Sequence, residues 1–156
     1  MCAPFADTRT ESMRPSGPES SIRVLVAGAD LSRIYFIRMV VALMGFRHVE
    51  CITIARDAVD VVERAAAGAD VVLLDDSPPT ADGLDIALHL RGHATTADIP
   101  LIVITGQPRD NLWQQAMIGL CVVVLPQPCS VHELRTAMLS GRPRCAAPTS
   151  VVSADL

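Results

Sequence analysis

There is no lysine anywhere in this chain of 156 residues, so all 13 of its basic side chains are arginines. That absence removes the phosphate-gripping lysine of nucleotide-binding loops from consideration. Aromatic residues are scarce, at 3% of the chain, with a single Trp and a single Tyr. Long apolar runs are missing too: the longest, Met39 to Met44 and Cys121 to Leu125, fall well short of the ~20 residues that span a bilayer. The N-terminus shows no basic start followed by an apolar core, so no secretory signal is expected and the location is expected to be cytoplasmic. Five cysteines, Cys2, Cys51, Cys121, Cys129 and Cys145, form no Cys-x-x-Cys pair and are odd in number. They read as reduced thiols rather than a disulfide framework or a zinc site.

The formal charge of −4 gives no support to a broad nucleic-acid footprint. Residues 1–20 are rich in Ser, Pro and Thr with little apolar periodicity and are expected to form a disordered leader. Residues 140–156 are expected to be a flexible tail. One domain is left, over residues 21–139, a length that suits a single core.

Within that span, short β-rich runs alternate with helical patterns, the signature of βαβ units around a parallel sheet. The strands are read at 22–27, 49–54, 71–74, 101–104 and 122–125. Ile34, Ile37, Val41 and Met44 give the first helix its stripe, closed by Gly45. Ala58, Val61, Val62 and Ala65 do the same for the second, which stops at Gly68. Leu84, Ala87 and Leu88 mark the third, and 109–118 the fourth. The fifth opens on Ser130-x-x-Glu133, a capping box, with Val131, Leu134 and Met138 on its buried face. The expected fold class is α/β: a (βα)5, doubly wound, five-stranded parallel sheet with the third strand at its centre.

In such sheets the working site lies beyond the carboxyl ends of the strands. Four segments should therefore converge: Gly28-Ala29-Asp30, Asp75-Asp76, Thr105-Gly106 and Pro126-Gln127-Pro128.

With those residues in view, the chain resembles the receiver domains of two-component response regulators, including the stand-alone receivers of chemotaxis. The similarity covers residues 22–139. It is carried by Val71-Val-Leu-Leu-Asp75-Asp-Ser-Pro-Pro79-Thr-Ala-Asp82-Gly83, by Ile99-Pro100, by Thr105 and by Gln127-Pro128. The resemblance implies a flavodoxin-like receiver fold, Asp75 at the phosphoacceptor position, Thr105 as the switch hydroxyl, and a cis peptide bond before Pro128. It also shows departures. The acidic pair that holds a divalent metal in the family reads Gly28 and Ala29, the lysine position is Gln127, and the fifth strand lacks the family's aromatic switch residue. Asp30 and Asp76 remain as a residual acidic pocket, with Asp75 the single metal ligand to carry over, so any magnesium ion is expected to be held weakly. Asp30 equally suits a helix cap and Asp76 a bond to loop amides.

Two functions follow from the resemblance and a third from the arginines at the end of the fifth helix. The favoured one is an atypical receiver that signals through protein contacts without efficient magnesium-dependent phosphorylation. The others are a working phosphorelay receiver, phosphorylated on Asp75 by a histidine kinase, and a cyclic-dinucleotide binder using Arg135, Arg142 and Arg144. The expected partner is a signalling protein on the face of helix four, strand five and helix five, with a histidine kinase and a second copy among the candidates. Neither DNA binding nor membrane insertion is expected. No Ser/His/Asp or Cys/His set falls on the strand ends, so no enzyme is expected. A cofactor-binding α/β domain lacks its glycine-rich phosphate loop. His89 and His93 have the spacing of a helix-borne metal pair without a third ligand and read as surface residues. Trp113 suits either a partner anchor or a cover for the core.

Overall fold

The computed structural model describes residues 20–54, 58–76, 83–106 and 109–140. Five parallel strands, β1 (Arg23–Gly28), β2 (His48–Thr53), β3 (Val71–Asp76), β4 (Leu101–Thr105) and β5 (Val123–Pro126), form one sheet in the order β2-β1-β3-β4-β5. Helices α1 (Leu31–Leu43), α2 (Val59–Ala66), α3 (Gly83–Gly92), α4 (Asn111–Gly119) and α5 (Val131–Leu139) alternate with them. The chain order reverses between β1 and β3, which makes the carboxyl ends of those two strands the switch point of the sheet. This is the flavodoxin-like arrangement, with β3 at the centre as its unbroken apolar run required.

The period of two along each strand divides the core into two layers. Leu25, Ala27, Val72, Leu74, Leu101 and Val103 face α2, α3 and α4. Val24, Val26, Val71, Leu73, Ile102 and Ile104 face α1 and α5. Helices one and two end on Gly45 and Gly68, both with positive φ (108° and 139°), a conformation that glycine adopts without Cβ strain.

Several boundaries differ from the sequence reading for local reasons. The carboxylates of β3 belong to the strand itself, because the ladder continues through Asp75↔Ile104 and Asp76↔Thr105. Helix α4 starts at Asn111 because Asp110 takes the cap, its Oδ1 accepting from Trp113 N at 2.8 Å. Ser130 caps α5 by accepting from Glu133 N at 3.0 Å, but the return contact is made by the Ser130 hydroxyl, which donates to Glu133 Oε1 at 3.2 Å. Leu88 and Val131, expected in the core, are 52% and 54% exposed. On α3 the buried residues are Gly83, Ile86, Ala87 and Leu90, a stripe of the right period and a different phase. Val131 sits on the first turn of α5, ahead of the part that crosses the sheet.

Cys51 and Cys129 are free thiols, whereas Cys121 is disulfide-bonded, contrary to the expectation of reduced thiols throughout. No helix among the described residues is long and apolar enough to cross a membrane. The leader and tail assigned to residues 1–20 and 140–156 lie almost wholly outside the described residues, as do Pro79, Asp82, Arg142 and Arg144.

Candidate functional site

Asp75 ends up fully buried at the carboxyl end of β3, beside Gly28 across the β1 ladder. Thr105 closes β4 opposite Asp76 and is 6% exposed. Its carbonyl accepts from Gln127 N at 2.8 Å, which draws the β5 loop, with its cis Gln127–Pro128 bond, to the same rim. The four strand-end segments do converge.

A residue absent from the sequence reading holds them together. Arg33, on the first turn of α1, donates from Nε to Asp75 Oδ2 at 2.8 Å and from Nη2 to Asp75 Oδ1 at 2.9 Å. The same Nη2 donates to Gln127 Oε1 at 2.7 Å. The fork matches the carboxylate oxygen for oxygen, the strongest geometry open to such a pair. The hydrogen bond to Asp75 raises the Arg33 pKa above its ordinary value; burial opposes this, and the charges of Asp75 and Asp30 add to it.

The remaining acidic residues are engaged separately. Asp30 caps α1, its Oδ1 accepting from Ser32 N at 2.9 Å. Asp76, 3% exposed, accepts from Gly83 N at 3.1 Å and pairs with Arg109 Nη2 at 3.2 Å. Each aspartate of β3 thus faces its own arginine.

The donor set does not fit a divalent cation. Hard cations need several oxygen ligands converging on one point, and among the described residues no group of three His, Cys, Asp or Glu side chains does so. A guanidinium spans both oxygens of Asp75 instead. Nor is there room for a carboxylate side chain at Gly28: a Cβ there would lie 2.7 Å from Ile34 Cγ2 and 3.0 Å from Asp75 Cβ. Gly28→Asp is therefore expected to destabilise the protein by about 2 kcal/mol through overpacking, with no rise in melting temperature on adding magnesium chloride; a magnesium-dependent rise would contradict the steric argument.

Other candidates resolve simply. His89 and His93 each turn Nδ1 to the carbonyl one helical turn back, Asp85 O at 2.8 Å and His89 O at 2.7 Å, and neither belongs to a group of three His, Cys, Asp or Glu side chains that could hold a metal among the described residues. Trp113 is partly buried against the core layer of α2 to α4. Of the three arginines proposed for a dinucleotide, Arg135 is exposed on α5, while Arg142 and Arg144 lie outside the described residues. A cleft of about 670 Å³ runs between α1 and α5, headed by Arg33 and Gln127 and walled by Phe36, Val40, Pro128 and Leu134. Cys129 lines it too, but burial, with Glu133 adding to it, pushes that thiol's pKa up, away from nucleophilic reactivity.

No protein-family model matches the chain. Response regulator MprA of Mycobacterium tuberculosis is 30% identical over 122 residues, covering 76% of this chain and 49% of that protein. The chain therefore spans about half the length of the curated relatives it matches. Among solved structures, a response regulator receiver protein from Sinorhizobium medicae superposes with a TM-score of 0.60 at 19% identity, covering 76% of this chain and 92% of the other. The receiver domain of the sensor histidine kinase PA1611 from Pseudomonas aeruginosa, with a magnesium ion coordinated in its active-site cleft, gives a TM-score of 0.60 at 17% identity, covering 76% and 95%.

Proposed function

Because the chain carries a receiver domain of the two-component response-regulator type, we propose that it works as an atypical member of that class, signalling through protein contacts without phosphorylation of Asp75. The observation that carries this reading is the fork of Arg33 on Asp75, with its third bond to Gln127. A carboxylate that attacks a phosphoryl group needs a free oxygen lone pair in line with the donor and cations placed around the transferred oxygens. Here the resident cation contacts the nucleophile itself. Gln127 offers no charge where the family has lysine, and its amide oxygen is committed to Arg33.

The magnesium ion in the Pseudomonas neighbour belongs to that protein's cleft; in this chain the residues around Asp75 favour an internal ion pair. The pair ties α1 to β3 and to the β5–α5 loop, so it serves as a fixed brace. Signalling then rests on binding at a preformed surface, for which the helix four, strand five and helix five face is the candidate, with a signalling protein as the partner.

The test is incubation of the full chain with magnesium and acetyl phosphate, read by intact mass beside an Asp75→Asn control. The expected result is an unchanged mass in both proteins. A gain of one phosphoryl group that disappears in Asp75→Asn would establish the working phosphoacceptor instead. Beryllium fluoride, followed through the emission of Trp113, gives a second readout that does not depend on the lifetime of an acyl phosphate.

A further inference from the structure

The valine run of β5 leaves a space on the α4 side of the sheet. A cleft of about 520 Å³ opens there, within the 300–1,000 Å³ typical of small-molecule sites. Its apolar wall is Trp113, Ile118 and Val124, and its polar end is Thr105, Arg109 and Gln127. The Arg109 guanidinium carbon lies 4.8 Å from the centroid of the Trp113 ring, while Nη2 reaches Asp76.

The polar end is incompletely satisfied. Arg109 Nε and Trp113 Nε1 are buried and have no hydrogen-bond partner among the described residues. A buried donor left without an acceptor costs roughly 1–3 kcal/mol, and most such groups in native proteins are paired. Here two of them sit on the stacked pair that closes one cleft. An acceptor brought in beside that pair would relieve the cost, and a flat ring would fill the apolar part against the indole face.

We propose that this cleft is a binding site for a small planar aromatic carboxylate, its ring between Trp113 and Val124 and its carboxylate at Arg109. The guanidinium supplies a charged donor for the carboxylate, and the indole gives the ring its stacking partner. Since Arg109 also holds Asp76, occupancy of the cleft is coupled to the strand end next to Asp75. The proposal does not rest on whether Asp75 accepts phosphate: the groups that would hold the ligand are Trp113, Val124 and Arg109, while Gln127, which also bonds Arg33, only borders the cleft.

Trp113 is the only tryptophan, so its indole N–H gives one resonance in a ¹⁵N-correlated spectrum of the full chain. Titration with benzoate is expected to move that resonance saturably, with a Kd of about 1 mM or tighter for so small a ligand. Binding should be roughly tenfold weaker in Arg109→Leu, which removes the charged donor, and in Val124→Phe, which fills the cleft from β5. Sulfate, an anion without a ring, and benzyl alcohol, a ring without a charge, are expected to cause no saturable shift. No saturable response to benzoate would overturn the proposal. So would an equal response to sulfate, or undiminished benzoate binding in both variants with their spectra otherwise native.

Discussion

Arg33→Met is expected to lower the unfolding free energy by about 3 kcal/mol at neutral pH, a larger loss than Arg33→Ala. The two substitutions remove the same charge and differ in what they leave. Asp75 has no exposed surface, and the Arg33 stem is part of what covers it. Methionine keeps an apolar cover over an ionised carboxylate that has lost its cation, and breaking one side of a buried pair costs about 3–5 kcal/mol; the estimate takes the low end because the Arg33 side chain is 35% exposed. Alanine opens a path for water to reach Asp75, so its cost should be nearer 1–2 kcal/mol. In a double-mutant cycle with Asp75→Asn, the arginine substitution should lose most of its effect, leaving a coupling of about 2 kcal/mol. Urea denaturation of the parent, Arg33→Met, Arg33→Ala, Asp75→Asn and the double variant Arg33→Met/Asp75→Asn measures all of these. If Arg33→Met is as stable as the parent, the ion pair is not the brace that the phosphorylation-independent reading requires, and that reading loses its support.

Much of the fold was readable because the pattern repeats. Five apolar runs of strand length, each followed by a stripe of helical period, leave little besides a doubly wound parallel sheet, and the strand-end rule then names the site. Periodicity gives the spacing of a buried stripe but fixes its phase only weakly in short helices, which is why Leu88 and Val131 were assigned to the wrong side. The brace was harder to see. Asp75 and Gln127 stand at expected positions, while Arg33 lies in the first turn of α1, 42 residues from the aspartate it holds. A signal did exist: α1 has no acidic residue in its first turn, and an arginine there opposes the helix dipole. Such a placement asks for a nearby anion; Asp30 is committed to capping α1, and Asp75 at the end of β3 takes the guanidinium. Arg109 was hidden similarly, since it follows β4 by only a few residues and read as the first residue of a helix that begins later.

Arg91→Leu should be the other costly substitution, lowering stability by about 4 kcal/mol while leaving the Arg33–Asp75 site intact. The sequence marks Arg91 only as part of a helix end. In the fold its guanidinium donates from Nε to Leu120 O at 2.8 Å, from Nη1 to Ile99 O at 2.7 Å and to Ala97 O at 3.1 Å, and from Nη2 to Cys121 O at 3.4 Å. One side chain therefore satisfies carbonyls from two separate connections, α3 to β4 and α4 to β5. Burial lowers the Arg91 pKa, with Asp98 acting the other way, so the charge is retained at a desolvation cost that the carbonyls offset. Leucine fills similar space but leaves those acceptors without a charge-assisted donor, each worth about 1–3 kcal/mol where water cannot substitute. Arg91→Lys keeps the charge without the planar fork and should lose about half as much. Both connections lie at the amino ends of β4 and β5, opposite the Asp75 rim. Amide exchange in Arg91→Leu should accordingly rise around 97–99 and 120–122, with Thr105 and Gln127 protected as before. Uniform loss of protection across the sheet would instead mean that Arg91 supports the whole core, and that the two ends of the domain are not energetically separable.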